Sequence, residues 1–232
     1  MTVLSVVIPA YQEGANLAIL LPRLIETLRS LGQSYEILIV DTETPLDDTP
    51  AICGRYAADG VRCLPRREGP SFGSAVRTGI NASTGEFVVC MDGDGSHDPE
   101  FIRELYRHRH EAHVIVASRY TEGGGTENIL ILQFLSWLVN YSYRLVFSLN
   151  CRDVSNSFKL YPGQALRTIR LVSENFEIVE EILIKLKRQL PDLTIRELPF
   201  LFRSRKHGKT KRQLVLFIFT FASSILRLRF MK

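Results

Sequence analysis

The feature that most restricts the fold of this 232-residue chain is a regular alternation between short apolar runs and longer segments of helical periodicity. The first run, 3–8, is apolar except at Ser5, as expected for a strand that is buried on both faces. Leucine and isoleucine then recur at helical spacing from Leu17 to Leu31, and Gly32 ends the pattern. The unit repeats with strands predicted over 36–40, 61–64, 87–91 and 113–117, and with helices that begin at 49–50, near 73 and at 98–100.

This alternation predicts an α/β fold in which a mainly parallel sheet is flanked by helices on both faces. With 45% apolar residues, the chain can form one such domain with a small appendage. Ligands of open parallel sheets bind beyond the carboxyl ends of the strands. Four segments are predicted to meet at that edge: Pro9–Glu13, Asp41, Arg66–Gly73 and Asp92–His97.

The cysteine pattern indicates a reducing environment. The four cysteines, Cys53, Cys63, Cys90 and Cys151, form no Cys-x-x-Cys pair. Three of them lie in or beside apolar runs, where a reduced thiol packs as a small hydrophobic group. Because the first residues are predicted to form a buried strand and not a secretory leader, we expect a cytosolic protein.

The net charge of +4 is unevenly distributed along the chain. Residues 1–128 contain 11 Lys and Arg against 18 Asp and Glu, whereas residues 129–232 contain 18 against 7. A basic half indicates an anionic partner, which is either nucleic acid or an anionic membrane. The apolar content of the same half favours a membrane surface, so no nucleic-acid partner is expected.

Two apolar segments flank the basic run 203–212, which holds six Lys or Arg and one His. The first lies within 129–150, and the second, 214–226, has 13 residues, fewer than the roughly 20 needed to cross a bilayer. We therefore expect helices that lie in the membrane interface, with basic residues near anionic headgroups. A buried core helix or an oligomer contact is the alternative for the apolar segments, and a solvated loop is the alternative for the basic run.

Asp92 and Asp94 stand one residue apart, just past the apolar run 87–91. Alternate residues of a strand share a face, and a turn after a strand also brings alternate side chains together, so both carboxylates can reach one ion. Mg²⁺ and Mn²⁺ prefer oxygen ligands and commonly complete their coordination with substrate phosphates. The pattern indicates a divalent cation beside a diphosphate. Alone, Asp-x-Asp is more often an acidic turn that caps the next helix. The other residues at the same edge are therefore needed to distinguish a metal site from such a turn.

Other residues at the same predicted edge suit a nucleoside. Tyr11 offers a ring that can stack on a base, and Glu13 offers a carboxylate that can accept hydrogen bonds from ribose or base. Asp41 can accept a hydrogen bond from the ring N–H of uracil or guanine. Each residue alone is more often part of a turn or a helix start, but the combination indicates a nucleotide site.

Together these segments resemble an inverting glycosyltransferase of family 2, which implies the nucleotide-sugar-binding fold of the GT-A type. The similarity extends up to Lys211 and rests on Val6–Glu13, Ile39–Asp41 with Asp48–Thr49, Arg67–Gly73, Ala75–Gly79 and Met91–Glu100. Within the family, 91–100 together with Ser118–Tyr120 and Asp153–Lys159 is similar to dolichol- or polyprenyl-phosphate mannosyltransferases.

The resemblance implies a role for each matching residue. The implied donor-nucleotide contacts are Pro9, Tyr11, Glu13, Asp41, Arg67, Gly73, Asp92 and Lys211. The implied metal environment is Asp92, Asp94 and Ser96, with Mg²⁺ or Mn²⁺ as the ion. The implied catalytic residues are Asp94, Arg119 and Arg205.

Three positions depart from the family pattern. The family usually has two aspartates and a Gly-Ser turn after the second strand, whereas Asp41 is followed by Thr42–Thr49. The usual Ser-Gly-Phe-Arg is replaced by Asn156–Lys159, and the arginine expected before the first interfacial helix is missing around Gln133 and Phe134. Donor sugar and acceptor contacts are therefore left open.

The chemistry expected of such an enzyme does not require a general base if the acceptor is a lipid monophosphate. The second pKa of this phosphate is about 6, by analogy with phosphorylated side chains, so its oxygen is largely ionised at neutral pH. The protein must instead hold two anions together, with the metal at the diphosphate leaving group and Arg119 and Arg205 at the attacking phosphate.

The expected activity is therefore a metal-dependent, inverting transfer of a hexose, mannose from GDP-mannose, to a polyprenyl or dolichyl phosphate at the cytoplasmic face of a membrane. The expected organisation is a catalytic domain over 1–212, with a membrane-interface insertion at 129–150, and a C-terminal membrane-associated helix over 213–232. A homo-oligomer or a membrane subunit as partner is left open.

Two alternatives remain. One is a family 2 enzyme that uses another nucleotide sugar, UDP-glucose or UDP-hexosamine, or a non-lipid acceptor; a hydroxyl acceptor would need a general base, for which Asp153 and Glu180 are candidates. A non-catalytic membrane-docking or nucleic-acid-binding module would explain the basic half, but it leaves Asp92, Asp94 and Asp41 without a function.

Overall fold

The computed structural model describes residues 2–203 and 223–230. The strands are β1 (Leu4–Pro9), β2 (Tyr35–Asp41), β3 (Val61–Pro65), β4 (Phe87–Cys90), β5 (Val114–Ser118), β6 (Gly125–Thr126), β7 (Lys159–Pro162), β8 (Ile195–Pro199) and β9 (Leu201–Phe202). The α-helices are α1 (Gly14–Ser30), α2 (Thr49–Gly54), α3 (Phe72–Ala82), α4 (Ile102–Arg107), α5 (Leu130–Phe147), α6 (Gly163–Thr168) and α7 (Ile178–Gln189). Two short 3₁₀ helices cover Ala57–Asp59 and Pro99–Phe101, and residues 223–230 are helical.

Within the described residues, one seven-stranded sheet has the order β3-β2-β1-β4-β7-β5-β8. Strands β3, β2, β1 and β4 are parallel neighbours, and β5 and β8 are parallel to each other. Strand β7 alone in this sheet runs antiparallel, between β4 and β5. The predicted α/β fold with a mainly parallel sheet is therefore confirmed.

The antiparallel strand β7 positions the loop that precedes it. Its first residue, Lys159, pairs with Cys90 at the carboxyl end of β4 and with Val116 near the carboxyl end of β5. The loop that leads into β7 therefore arrives at the edge where the parallel strands end. Residues 151–158 consequently join the segments that follow β1, β2 and β4.

Apolar side chains form a core on each face of the sheet. Strand β1 is buried on both faces, so Val6 packs in one core and Val7 in the other. On one side, α1 buries a leucine stripe that includes Leu17, Leu21 and Leu28, each 0% exposed. Burial of one such side chain stabilises the fold by about 1.5–3 kcal/mol. On the other side, α3, α5 and α7 cover the sheet.

Helix α5 differs from the core helices because most of its apolar side chains are exposed. Val139, Asn140 and Tyr143 are its buried residues. Large exposed side chains on and beside it are Ile129, Leu130, Ile131, Leu132, Phe134, Trp137, Leu138, Tyr141, Leu145 and Val146. No helix within the described residues is long and apolar enough to span a bilayer.

The described end of the chain, 223–230, packs through part of its surface on the core that includes α5 and α7. Ser224 and Leu228 are buried, and the Ser224 hydroxyl lies 2.6 Å from the Tyr143 hydroxyl of α5. Leu226 and Phe230 are 61% and 80% exposed. The membrane-associated helix predicted for 213–232 stays a prediction, because 213–222 and 231–232 lie outside the described residues.

The sequence located the first five strands to within one or two residues, but one helix start differs from the prediction. Helix α2 begins at Thr49, within the predicted start at 49–50. Asp98 caps a 3₁₀ turn through a hydrogen bond from the Glu100 amide, 3.3 Å long, and the α-helix begins only at Ile102. A shift of this size is usual where a 3₁₀ turn starts a helix.

Candidate active site

The Asp92–His97 loop follows β4 and is held by its own hydrogen bonds. Asp94, which is 6% exposed, accepts hydrogen bonds at Oδ1 from the Ser96 amide (3.0 Å) and the Ser96 hydroxyl (2.6 Å). Gly95 has φ 81°, a conformation in the left-handed region that favours glycine, and this allows the tight turn between them. Asp92 accepts a hydrogen bond at Oδ1 from the Ser157 hydroxyl at 3.0 Å. The two carboxylates are therefore positioned before any ligand binds.

The buried His97 ring stabilises the Asp92–His97 loop through two hydrogen bonds. Its Nδ1 accepts a hydrogen bond from the Asp92 amide at 3.0 Å, which assigns the ring hydrogen to Nε2, 3.1 Å from Asn156 Oδ1. The ring also stacks on Phe158, with centroids 4.8 Å apart. Burial lowers the pKa of His97, although Asp92 and Asp94 partly oppose this effect. Because both ring nitrogens are engaged and the ring is 1% exposed, His97 positions the loop.

The oxygen donors at this edge fit a hard divalent cation that is also bound by a diphosphate. Within residues 2–203 and 223–230, no group of three or more His, Cys, Asp or Glu side chains is placed to hold a metal ion alone. Mg²⁺ is commonly bound through one or two carboxylates and substrate phosphates, and Asp92 and Asp94 supply that number. The Ser96 hydroxyl is 1% exposed and directed at Asp94, so it supports the carboxylate in this arrangement. Its predicted role as a metal donor stays a prediction.

Asp41 lies at the carboxyl end of β2 and is 2% exposed. Its Oδ2 is buried without a hydrogen-bond partner among the described residues. Burial raises the pKa of Asp41 and the nearby Asp47 adds to the shift, while the Thr42 amide and Arg66 oppose it. A buried carboxylate oxygen with no partner is costly, so it is suited to accept a hydrogen bond from a ligand such as a nucleobase.

Arg66, which the sequence did not single out, joins the predicted nucleotide residues. Its guanidinium lies 5.5 Å from the centroid of the Tyr11 ring and donates to the carbonyl oxygens of Ala10 and Pro70. Tyr11 is 41% exposed, so its ring can stack on a planar ligand. The only available sequence signal was the place of Arg66 directly after β3, at the binding edge.

The structure places Pro9 and Glu13 at the same edge. Pro9 pairs with Val40 at the ends of β1 and β2. Glu13 directly precedes α1 and accepts a hydrogen bond from Asn16 at 2.5 Å. The adjacent Gly14 amide donates to Asp47 at 2.8 Å, which connects the loop after β1 to the loop after β2. The predicted nucleotide residues after the first two strands are therefore neighbours.

Arg67 and Gly73 belong to the loop between β3 and α3. The Arg67 side chain is exposed, and its amide donates to the Thr78 hydroxyl at 2.9 Å. A Cβ atom at Gly73 would lie 2.0 Å from the Ser173 carbonyl oxygen. This close approach leaves no room for a side chain, so packing alone explains why residue 73 is glycine. The predicted donor contacts of both residues stay predictions.

Arg119, directly after β5, forms a buried ion pair with Asp153. Its Nε and Nη2 donate to the two carboxylate oxygens at 2.8 and 2.6 Å, and the Arg119 amide donates to Oδ2 at 2.8 Å. Asp153 is 0% exposed and Arg119 is 9% exposed. Burial alone would lower the pKa of Arg119, but the charge and hydrogen bonds of Asp153 raise it. The guanidinium is thus fixed in the charged form.

The loop 153–157 connects this ion pair with the carboxylates after β4. Asn156 contacts His97, and Ser157 contacts Asp92. Lys159 is 0% exposed and donates to the carbonyl oxygens of Val154, at 3.0 Å, and Asn156. In the sequence, only the family resemblance pointed to this segment. Its hydrogen bonds join residues that are 34 to 65 positions apart, so local sequence patterns do not reveal them.

Arg205 and Lys211, the remaining predicted site residues, lie outside the described residues. Their predicted roles at the acceptor phosphate and the donor nucleotide stay predictions.

The sequence matches known proteins over most of its length. It matches the family model described as glycosyl transferase family 2 over residues 5–170. It is 29% identical over 217 residues to a dolichol-phosphate mannosyltransferase of Pyrococcus furiosus and 27% identical over 225 residues to one of Saccharomyces cerevisiae, each alignment covering 89% of this chain. It is 23% identical over 213 residues, 90% of this chain, to a dodecaprenyl-phosphate galacturonate synthase of Rhizobium johnstonii. The chain spans 58%, 80% and 61% of these three relatives, respectively.

Solved structures share the fold at low sequence identity. Glucosyl-3-phosphoglycerate synthase of Mycobacterium tuberculosis, in complex with Mn²⁺, UDP-glucose and phosphoglyceric acid, superposes with a TM-score of 0.71 at 17% identity. Its complex with Mg²⁺ and UDP gives 0.69 at 18% identity. Both matches cover 98% of this chain, and 80% and 79% of the respective structures. The fold is therefore of the GT-A type, and because the family model matches more than half of the sequence, the chain belongs to glycosyl transferase family 2.

Proposed function

We propose that this glycosyltransferase moves a hexose from a nucleotide sugar to a polyprenyl or dolichyl phosphate, with inversion at the anomeric carbon and with Mg²⁺ or Mn²⁺ bound. The favoured donor is GDP-mannose. The reaction takes place at the cytoplasmic face of a membrane, where the protein is bound at the interface.

The observation that carries this proposal is the connection between an exposed apolar helix and Arg119. Helix α5 exposes Leu130, Phe134 and Trp137 by 81%, 57% and 49%. The buried side of the same helix carries Asn140, which bonds to the loop of Asp153 and Ser155. A large exposed apolar surface marks an interaction with a membrane or an apolar ligand. A prenyl phosphate has both an apolar chain for α5 and an anion for Arg119.

The donor side of the proposal rests on Asp41, Asp92 and Asp94. The unpartnered, buried Oδ2 of Asp41 is suited to the ring N–H and amino group of guanine, and it also suits the ring N–H of uracil. Asp92 and Asp94 would hold the cation, which when bound neutralises the developing charge of the nucleotide diphosphate leaving group. Mannose is favoured because two of the relatives are dolichol-phosphate mannosyltransferases.

The acceptor side needs no residue that removes a proton. A phosphate monoester is largely dianionic at neutral pH and can attack directly. Asp153, a candidate general base for a hydroxyl acceptor, is 0% exposed, and both of its carboxylate oxygens accept hydrogen bonds from Arg119. Arg119 would orient the attacking phosphate and reduce the repulsion between the two anionic substrates.

The proposal is tested by incubating the protein with radiolabelled GDP-mannose, UDP-glucose, UDP-N-acetylglucosamine or UDP-galacturonate, together with a polyprenyl phosphate in vesicles and Mg²⁺ or Mn²⁺. We expect label in the lipid phase, greatest with GDP-mannose, and loss of transfer on chelation of the metal. The mild-acid-labile product of a sugar linked through phosphate distinguishes transfer to the lipid phosphate from transfer to a hydroxyl.

The matched controls replace the lipid with 3-phosphoglycerate or with the prenyl alcohol. Transfer to either of these, with none to the prenyl phosphate, would remove the lipid-phosphate proposal and leave the family membership intact. If a UDP-sugar is the only donor from which sugar is transferred to the prenyl phosphate, the proposed acceptor stands and GDP-mannose is replaced as the proposed donor.

A further inference from the structure

The hydroxyl of Ser155 occupies a junction between Arg119 and helix α5. Its oxygen accepts one hydrogen bond from Arg119 Nη2 at 3.0 Å and a second from Asn140 Nδ2 at 3.1 Å. Asn140 is 2% exposed, and its Oδ1 accepts a hydrogen bond from the Ser155 amide at 2.8 Å. This second bond fixes the amide orientation, because an amide oxygen must face the Ser155 N–H and the amide nitrogen must then face its hydroxyl.

These two incoming bonds determine what Ser155 can do. A hydroxyl group has two acceptor lone pairs and one donor hydrogen. Both lone pairs are engaged by donors, so the hydrogen is directed away from Arg119 and Asn140. Within residues 2–203 and 223–230, the Ser155 hydroxyl donates no hydrogen bond. Ser155 is partly exposed, so an acceptor from a ligand can reach it.

Arg119 presents a second donor beside this hydroxyl. Its Nε and Nη2 are used by Asp153 and Ser155, whereas its Nη1 donates to no residue in the described part of the chain. The side chain retains 9% exposure. Between residues 128 and 143 the sequence contains no Lys or Arg, and Arg144, the basic residue of α5, is exposed.

We propose that Ser155 O–H and Arg119 Nη1 together bind the phosphate monoester of the acceptor, and that Asn140 is the positioning residue that keeps the Ser155 hydrogen directed at it. This inference rests on the proposed function and names the acceptor-binding group of that site. The exposed apolar residues of α5 lie on the helix whose buried side carries Asn140. The phosphate would therefore bind beside the surface where the prenyl chain enters.

The experiment measures binding of geranyl phosphate, a short prenyl monophosphate, by calorimetry, and transfer to a long polyprenyl phosphate as KM and kcat. We expect S155A to weaken geranyl phosphate and to raise the KM for the lipid by about 10- to 100-fold, the effect of losing one hydrogen bond to a charged group. The affinity for the nucleotide diphosphate with metal should change less than about twofold. S155T, which retains the hydroxyl, should restore most of the lost affinity.

Asn140→Asp tests the positioning role. The substitution keeps the oxygen that accepts from the Ser155 amide but replaces the Nδ2 donor with an acceptor. Ser155 would then donate its hydrogen to residue 140, so geranyl phosphate should bind at least as weakly as in S155A, and adding S155A to this variant should cause little further loss. Ser142→Ala is the matched control, since Ser142 on α5 donates to the Leu138 carbonyl oxygen and is remote from Arg119 in the bonding network.

The possible failures are distinguishable. If wild-type protein transfers sugar to the lipid and S155A leaves both the KM and the geranyl phosphate affinity unchanged, the inference is overturned while the proposed function stands. If wild-type protein binds geranyl phosphate in a Ser155-dependent manner but transfers no sugar to lipid, the site assignment is supported and the proposed function fails. Absence of geranyl phosphate binding by the wild type overturns the inference.

Discussion

The donor edge and the acceptor end of this active site are built in opposite ways. At the donor edge, Asp41 ends β2 and Asp92 lies two residues past β4, and the Oδ2 atom of Asp41 has no hydrogen-bond partner among the described residues. At the acceptor end, Arg119 already has a carboxylate partner, Asp153, supplied by a loop that leads into an antiparallel strand. The donor edge is therefore suited to a cation and a nucleotide, whereas the acceptor end carries its own fixed cation for an anion.

Because of this difference, substitutions at the two ends of the site should affect the stability of the protein differently. Removing the Asp94 carboxylate breaks the hydrogen bonds that it accepts within its own loop, from the Ser96 amide and hydroxyl. Removing Arg119 leaves Asp153 charged and fully buried. We therefore expect substitutions at the donor edge to reduce activity while the protein stays folded. Substitutions at the acceptor end should reduce both activity and stability.

The largest expected effect comes from Asp94→Ala. Loss of a cation-binding carboxylate should lower kcat/KM by on the order of 10³-fold or more, because the leaving diphosphate loses its electrostatic stabilisation. Circular dichroism and thermal melting should show a folded protein. Asp98→Asn is the matched control, since Asp98 lies in the same segment but pairs with Arg23 at 2.9 Å and should retain transfer. Full turnover by the Asp94 variant would contradict the assignment of Asp94.

Arg119→Ala should be the most destabilising of the site substitutions. Breaking a buried ion pair by removing one partner costs about 3–5 kcal/mol, which for a chain of this size corresponds to a fall in Tm of roughly 6–20 °C. The double variant Arg119→Ala with Asp153→Asn removes the unpaired charge of the buried Asp153 carboxylate. It should recover part of the stability but not the sugar transfer. Denaturant titration and lipid-transfer assays on both variants check this. Recovery of activity together with stability would show that Arg119 is only structural.

Asp41→Asn should weaken nucleotide binding while stabilising the free protein. A nucleobase N–H bound to the carboxylate contributes about 1.5–3 kcal/mol, so we expect about 10- to 100-fold weaker binding of GDP with metal by calorimetry. Burial raises the pKa of Asp41, so the unfolded chain loses this proton at lower pH than the folded protein does. The carboxyl therefore costs stability as pH rises from the unfolded value through the folded value, and the cost is complete above that range.

The pH dependence gives a second check on Asp41. The Asn variant cannot ionise at this position, so its Tm should exceed that of the wild type above the folded pKa and should approach it at lower pH. Asp59→Asn serves as control, because Asp59 lies on the surface next to Arg29, away from the site. A variant with lower stability than wild type at pH 7 would contradict the unpartnered state of Asp41 Oδ2.

The same contrast explains which parts the sequence predicted. Strands β1 to β5 were recognisable because strands buried on both faces are nearly continuous apolar runs. Strand β7 has only four residues and contains Lys159, whose burial depends on carbonyl oxygens of a distant loop, so it gave no such signal. Strand β8 includes Arg196 and Glu197 and likewise lacks an apolar run.

The candidate site divides in the same manner. The placement of Tyr11, Asp41, Asp92 and Asp94 at one edge was predictable, because each lies at or just after the end of a recognisable strand and such ends meet there. The link between Asn140 and Ser155 was not, because it joins the middle of a helix to a loop 15 residues later through side-chain orientation. Hydrogen bonds of that kind are set by tertiary packing, which local periodicity does not encode.

The smallest expected effect, and the one that tests the acceptor end as a membrane surface, comes from Trp137→Ser on α5. Trp137 is 49% exposed, so its removal should change the free energy of unfolding by no more than about 0.5 kcal/mol. Loss of its contact with acyl chains should weaken binding to vesicles containing anionic lipid by about tenfold, measured by co-sedimentation. Val139→Ser, two residues later on the buried side, should show the reverse: a loss of about 2 kcal/mol or more in stability with little direct change in vesicle affinity. If both variants bind vesicles as the wild type does, α5 does not contact the membrane, and the prenyl phosphate must reach Arg119 by another surface.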